Sequence, residues 1–132
     1  MFKKIGISTK SRTELIDITS KVEAVVRDSK VKEGVCHVFV PHTTAGVTIN
    51  ENADPSVRVD ILEELAKIVP FDDGYEHTEG NSAAHIKSTI VGTCVAVFVE
   101  DSVLVFGTWQ GIFFCEFDGP RSRSVFVKVL EG

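Results

Sequence analysis

The sequence shows no long apolar run, no paired cysteine spacing and a shortage of positive charge, and each absence excludes a class of protein. No segment approaches the roughly 20 consecutive apolar residues of a membrane-spanning helix, and the opening residues, MFKKIG, lack the apolar core of a signal peptide. The three cysteines are odd in number and have no CxxC spacing, which favours a reducing compartment over a disulfide framework. We therefore expect a cytoplasmic protein with no membrane partner.

The charge balance argues against nucleic acid as the main partner. The 14 Lys and Arg residues stand against 19 Asp and Glu residues, which gives a formal net charge of −5, whereas binding to a phosphate backbone depends on positive charge. The chain has 132 residues, of which 43% are hydrophobic, and this is enough for one domain with its own core. No repeat, low-complexity tract or flexible linker divides it, so we expect a single domain over residues 1–132.

The hydrophobic pattern predicts strands toward both ends of the chain and helices between them. Strand-like runs lie at 2–8, 15–18, 35–40, 47–49, 95–100, 103–106, 112–117 and 124–130. Helical spacing follows a capping box at 20–23, the Asp54-Pro55 pair, and Asn81, which we expect to cap a helix whose apolar residues are Ala84, Ile86 and Ile90. This order of elements predicts an α+β fold with a largely antiparallel sheet and about three helices.

The stretch from 75 to 85, YEHTEGNSAAH, concentrates polar groups that a simple connection between two elements does not need. It holds two of the four histidines, His77 and His85, together with Glu79 and Asn81. Histidines bind metals, bind anions or move protons near neutral pH. His42 follows a predicted strand, where scaffolds usually carry functional residues. His42, His77, His85 and Glu79 are therefore the candidate catalytic residues.

Two kinds of ligand fit this group, and composition leaves the choice open. Histidine suits zinc and carboxylates suit magnesium, so the candidate ligands of a divalent metal are His42, His77, His85 and Asp54. A phosphate is the alternative, because a helix that begins near residue 81 points its amide dipoles toward its N-terminus. Several groups can also donate hydrogen bonds to phosphate oxygens, namely those of Thr43, Thr44, the Gly46 amide and Arg121.

Some of these residues also have a structural interpretation. Asp54 is first of all a helix cap. Trp109 offers a flat face on which a heterocycle can stack, but it is equally suited to a core or a subunit contact. Arg121 follows a predicted turn and can pair with Glu116 or Asp118 at the surface.

Taken in order, the polar clusters resemble the YjbQ family, also called UPF0047 or secondary thiamine-phosphate synthase. The resemblance covers nearly the full length. Its motifs are HTTAG at 42–46, Asn50-Glu51 with Asp54-Pro55, Glu79-Gly80-Asn81 with His85, GTWQ at 107–110 and DGPR at 118–121. The resemblance implies a compact α+β domain that assembles as a homotrimer, with the site at a subunit interface.

The resemblance also implies a weak thiamine-phosphate synthase activity, which joins a pyrimidine diphosphate to a thiazole phosphate and releases pyrophosphate. Stabilising that leaving group requires a divalent cation, magnesium or zinc, or cationic donors. The substrate-binding residues expected from the motifs are Thr43, Thr44, Gly46, Asn50, Glu51, Asn81, Trp109, Gln110 and Arg121. The alternative is a metal- or phosphometabolite-binding module without significant catalysis. Only an enzyme requires the carboxylates and histidines to converge on one cavity.

Overall fold

The computed structural model describes all residues from 1 to 132 and contains eight strands and three helices. The strands are β1 (Phe2–Ser8), β2 (Glu14–Asp17), β3 (Gly34–Phe39), β4 (Ala45–Glu51), β5 (Cys94–Glu100), β6 (Val103–Leu104), β7 (Gln110–Glu116) and β8 (Ser122–Glu131). The helices are α1 (Thr19–Ser29), α2 (Pro55–Ile68) and α3 (Ser82–Val91). The predicted α+β fold is confirmed. None of the three helices is long and apolar enough to cross a membrane.

The strands form two antiparallel sheets. The larger sheet has the order β1-β8-β3-β5-β6 and the smaller has the order β2-β7-β4. Alternate residues of β8, such as Val125, Val127 and Val129, are buried, as expected when one face of a strand packs on the core. The main core of 19 buried residues draws on both sheets and on α1, so it lies between them.

Helices α2 and α3 pack on the opposite face of the smaller sheet. A second cluster there combines Phe113 and Cys115 of β7 with Ala84 of α3 and, at its edge, Ile61 and Leu65 of α2. The predicted apolar face of α3 was partly wrong, because its isoleucines are exposed and its buried residues are Ala83, Ala84, Lys87 and Ser88. Ala83, Ala84 and Ser88 are small and allow this helix to approach the sheet closely. The size of a side chain therefore decides which residues are buried here more than its hydrophobicity does.

The predictions for the starts of α1 and α2 have different outcomes. Asp54 caps α2 as predicted, since its Oδ1 accepts the amide N–H of Ser56 at 3.0 Å. The predicted capping box at 20–23 is wrong, because α1 already begins at Thr19. There Asp17 Oδ1 accepts both the amide of Thr19, at 2.9 Å, and its hydroxyl, at 2.6 Å. Asp17 therefore satisfies the first amide of α1 from within the preceding strand.

Candidate functional site

A solvent-open cavity of about 450 Å³ collects polar side chains from four separate parts of the chain. These parts are the loop before β4, the loop before α3, the first turns of α3, and the turn that leads into β8. Apart from Pro41 the cavity has no apolar lining residue, and the lining consists of Pro41, His42, Thr43, Thr44, His77, Glu79, Asn81, His85, Asp118, Arg121 and Arg123. All three histidines that the sequence singled out therefore line one cavity. The first and the last of them, His42 and His85, are 43 residues apart in the sequence.

A buried ion pair between Glu116 and Arg123 forms the floor beneath this cavity. The side chain of Glu116 is 0% exposed and that of Arg123 is 5% exposed. Arg123 donates from Nε to Glu116 Oε1 at 2.9 Å and from its terminal nitrogen to the Thr44 hydroxyl at 2.8 Å. Burial alone would raise the pKa of Glu116, but hydrogen bonds from Arg123 and Thr9 outweigh it and hold the pKa below its usual value. The pair thus fixes the ends of β4, β7 and β8 together.

Asp118 organises the next layer of the cavity. It accepts hydrogen bonds at Oδ2 from Asn81 Nδ2 and from a terminal nitrogen of Arg121, each at 2.9 Å. Arg121 Nε also donates to the Asp118 carbonyl at 2.8 Å, which orients the guanidinium while its side chain stays 52% exposed. Burial raises the pKa of Asp118, but hydrogen bonds from Asn81 and Arg121 more than offset this and lower it.

Asn81 occupies the N-cap position of α3, but its side chain makes no capping hydrogen bond. The predicted capping role of this side chain is therefore wrong, because its amide donates to Asp118 instead. Its Oδ1 is buried and has no hydrogen-bond partner. The first amides of α3 consequently lack a side-chain acceptor from Asn81 next to the cavity.

The three histidines present different chemistry. His42 Nε2 accepts the backbone N–H of Ser124 at 2.9 Å, so the neutral ring carries its proton on Nδ1. Burial, and then the positive charge of Arg123, lower the pKa of His42, which favours that neutral form. The rings of His77 and His85 meet edge to face with centroids 5.4 Å apart.

The sequence-predicted metal site does not fit the side chains as they lie. No group of three or more His, Cys, Asp or Glu side chains is arranged to hold a metal ion. His42 Nε2 already accepts a backbone amide. Asp54 caps α2 and does not line the cavity, so it cannot complete a set with the histidines within one chain. The donors that do converge are those of arginine, histidine and threonine, which suit an anion.

Four of the predicted substrate-binding residues lie at the far end of the β4–β7 pair. Ala45 pairs with Glu116 at the cavity end, whereas Glu51 pairs with Gln110 at the other end. Six residue steps along a strand span about 20 Å. The cavity within one chain is therefore not lined by the residues of this end, which are Asn50, Glu51, Trp109 and Gln110.

Gly46 also lies outside the cavity, and packing explains why this position is glycine. It is buried in β4 opposite Cys115. A Cβ at this position would lie 2.5 Å from the carbonyl oxygen of Gly92, which follows α3. The same carbonyl accepts the N–H of Val47 at 3.1 Å. The predicted donation from the Gly46 amide to phosphate is therefore not supported by its position.

Sequence reasoning overlooked Asp118 and Arg123 as site residues. A signal was present, because Arg121 and Arg123 are two positions apart and thus point to the same side of an extended chain. The partner Glu116 gave no comparable signal, since a lone acidic residue at the end of an apolar strand is indistinguishable from a surface residue. Only the pairing of strands reveals that it is buried.

The fold and the cavity together define a class of protein: a two-sheet α+β domain with an open histidine- and arginine-lined site. The family described as UPF0047 protein YjbQ-like matches residues 3–132. The chain belongs to this family. It is 51% identical to a UPF0047 protein of Methanocaldococcus jannaschii, over 98% of this chain and 94% of that protein. It is 48% identical to YugU of Bacillus subtilis, over 98% and 99% of the two chains.

Solved structures of relatives have the same fold. A YjbQ/UPF0047 family protein of Clostridium acetobutylicum is 50% identical and superposes with a TM-score of 0.96, covering 97% of this chain and 99% of that one. A YbjQ-like protein of Sulfolobus solfataricus is 36% identical with a TM-score of 0.96, covering 100% and 97%. These comparisons establish the family and the architecture.

Proposed function

We propose that the cavity binds a small phosphorylated molecule. The observation that carries this proposal is the lining itself, which combines two arginines, three histidines and two threonines with two carboxylates, those of Glu79 and Asp118, and has Pro41 as its one apolar side chain. Arg121 and Arg123 are both paired with carboxylates, but Arg123 is buried whereas the side chain of Arg121 is 52% exposed, so Arg121 supplies the accessible guanidinium. Arg121 uses Nε and one terminal nitrogen on Asp118, and its other terminal nitrogen has no protein acceptor. That free nitrogen can donate to a phosphate oxygen, an acceptor that guanidinium groups commonly bind.

The threonines supply neutral donors beside this charge. The Thr44 hydroxyl accepts a hydrogen bond from Arg123, which leaves its own hydrogen free to donate. Thr43 is exposed at the cavity wall. Hydroxyl donors therefore line the same cavity as Arg121.

We further propose that the bound molecule reacts as in thiamine-phosphate synthesis. The bond between the pyrimidine methylene carbon and the diphosphate oxygen breaks, and its electron pair leaves with pyrophosphate. The thiazole ring nitrogen supplies the electron pair for the new carbon–nitrogen bond. That nitrogen carries no proton, so no base is required. The catalytic requirement is to stabilise charge on the leaving group.

Arg121 is assigned to hold the leaving pyrophosphate, and His85 is assigned to protonate it. His85 lies on α3, which holds its ring more rigidly than a loop holds His77. Glu79 Oε1 lies 3.9 Å from His77 Nε2 at the edge of the same cavity. Neutral His42 contributes a hydrogen-bond donor at Nδ1 rather than a proton.

A binding module without turnover is the second candidate, and one observation favours it. The single-chain cavity has no apolar wall, so nothing in it excludes water from a reactive carbocation-like centre. A protein that only captures a phosphorylated molecule has no such need. The two candidates therefore make the same prediction for binding and opposite predictions for turnover.

The test measures pyrophosphate binding by calorimetry and thiamine-phosphate formation from the two substrates. Arg121→Met should weaken binding at least about tenfold, because it removes charge-assisted hydrogen bonds. Arg27→Met is the matched control, since Arg27 is exposed on α1 and lies outside the cavity. Equal losses in both variants, or no pyrophosphate binding by the wild type, would refute the proposed site.

Turnover separates the two candidates. His85→Ala should reduce turnover by roughly 10² or more, the usual contribution of a general acid, while thermal stability stays close to that of the wild type. Binding without any product in the wild type would select the binding module. Parallel losses of turnover and stability in His85→Ala would make this histidine structural.

We also infer that the chain forms a homotrimer with Trp109 near a subunit contact. Helix α2 has no buried residue within one chain, and Trp109 is 61% exposed. Such surfaces are usual at contacts between subunits. Light scattering at micromolar concentration should give three times the monomer mass. A monomer mass, or emission from this single tryptophan typical of full exposure, would contradict the inference.

A further inference from the structure

A second cavity of about 370 Å³ adjoins the first. The two share a wall made of His42, Thr43 and His85. The remaining lining of the second cavity consists of Ser88, Thr89, Gly92 and Thr93. It contains no arginine and no carboxylate, so it differs in charge from the first cavity. Together the cavities form one groove, with one half that carries the arginines and carboxylates and another half lined by hydroxyl groups and histidines.

The groove follows helix α3 from one end to the other. The first cavity lies at its N-terminus, with Asn81 and His85, and the second lies at its C-terminus, with Thr89 and Gly92. A helix carries partial positive charge at its first turn and partial negative charge at its last. The helix therefore favours an anionic group in the first cavity and a hydrogen-bond donor in the second.

The hydroxyl groups of the second cavity also favour a hydrogen-bond donor in that cavity. Ser88 Oγ donates its hydrogen to the Ala45 carbonyl at 2.7 Å. Thr89 Oγ1 donates its hydrogen to the His85 carbonyl at 2.9 Å. A hydroxyl whose hydrogen is already engaged offers only its lone pairs. These two oxygens are therefore acceptors, and the group that complements them is a donor.

We propose that the second cavity is the subsite for an amino group on the same molecule whose phosphate occupies the first cavity. This rests on the proposed function and specifies its ligand as an amino-bearing phosphate ester. From Asn81 to Thr89 the chain advances eight residues, or about 12 Å. This length along the helix axis sets the scale for the separation between the phosphorus and the amino nitrogen.

The experiment compares three probes by NMR titration of the full chain: inorganic phosphate, n-hexyl phosphate and 6-aminohexyl phosphate. The two esters differ only in the terminal amino group. Wild-type protein should bind the amino ester about fivefold more tightly than the alkyl ester, which corresponds to one net hydrogen bond. Equal affinities for the two esters would overturn the inference.

Variants at Thr89 show whether the tighter binding of the amino ester arises in the second cavity. Thr89→Val removes the acceptor oxygen and should abolish the fivefold preference, whereas Thr89→Ser keeps the oxygen and should retain it. Thr108→Val is the matched control, because Thr108 is exposed outside both cavities. A preference that survives in Thr89→Val would overturn the inference.

Inorganic phosphate separates this inference from the proposed function. If phosphate fails to bind wild-type protein, the phosphate site and the subsite that depends on it are both refuted. If phosphate binds and changes the NMR signals of residues in the first cavity, but the amino ester binds no more tightly than the alkyl ester, only the subsite is refuted. Phosphate affinity should be the same in Thr89→Val and in the wild type.

Discussion

Replacing Glu116 by glutamine should strongly destabilise the protein, because this carboxylate is the acceptor for a group of buried donors. It receives hydrogen bonds from Thr9 Oγ1 at 2.7 Å, from Arg123 Nε at 2.9 Å, and from the amides of Phe117 and Asp118 at 3.1 Å each. Glutamine has nearly the same shape but no charge. One of its terminal atoms is a donor, which would face donors of the protein.

The magnitude follows from the burial of both partners. Removing one member of a buried ion pair leaves an uncompensated charge and costs about 3–5 kcal/mol. A domain of this size has a total stability of about 5–15 kcal/mol. With about 4 °C lost per kcal/mol at this chain length, the melting temperature of Glu116→Gln should fall by roughly 10–20 °C.

Urea unfolding followed by circular dichroism at pH 7 measures this loss. Glu63→Gln is the matched control, because Glu63 is exposed on α2, and it should change stability by less than about 0.5 kcal/mol. The double variant Glu116→Gln with Arg123→Met should recover part of the loss, since it leaves no unpaired charge. A loss in Glu116→Gln no larger than that in Glu63→Gln would refute the reasoning.

The pH dependence provides an independent check on the same residue. The pKa of Glu116 is lowered in the fold from its ordinary value of 4.5. The unfolded chain therefore binds a proton more readily than the folded chain. The stabilisation is complete above about pH 4.5 and is lost as the pH falls through the lower, folded-state pKa. The stability difference between wild type and Glu116→Gln should shrink over that acidic range.

Three further changes test the packing, the helix cap and the histidine. Gly46→Ala should cost about 1–3 kcal/mol, because the new methyl group would lie 2.5 Å from the carbonyl oxygen of Gly92. Gly6→Ala is the control and should be tolerated, since a Cβ there has no neighbour within 4 Å. Equal melting temperatures for the two variants would contradict this. Asp54→Ala should lower the midpoint of urea unfolding without any change in pyrophosphate affinity, and a loss of affinity would place Asp54 in the site. The pKa of His42 is lowered from 6.5, so the contribution of this residue to stability is complete above that pH and declines below it. The free energy of unfolding should therefore fall less between pH 7.5 and pH 5 in His42→Gln than in the wild type.

Much of the secondary structure could be predicted because its signals are local. The Asp54-Pro55 start of α2 depends on a hydrogen bond that spans two residues. The turn at Asp101-Ser102 joins β5 and β6 in the gap between the strands predicted at 95–100 and 103–106, and both residues have positive φ, as in tight hairpin turns. The buried face of α3 was harder to predict, since Lys87 and Ser88 are buried there while Ile90 is 57% exposed. A sequence pattern does not report how closely a helix approaches its sheet.

The sequence by itself determined the density of polar groups at 75–85 and the presence of histidine and arginine at element ends, because these are properties of neighbouring residues. Only the tertiary structure decided which of them meet. The pairing of β4 with β7 brings Thr44 and Glu116 to the cavity and carries Glu51 and Gln110 about 20 Å away from it. The register of two antiparallel strands is set by the burial of a whole sheet face, and no short motif contains that information.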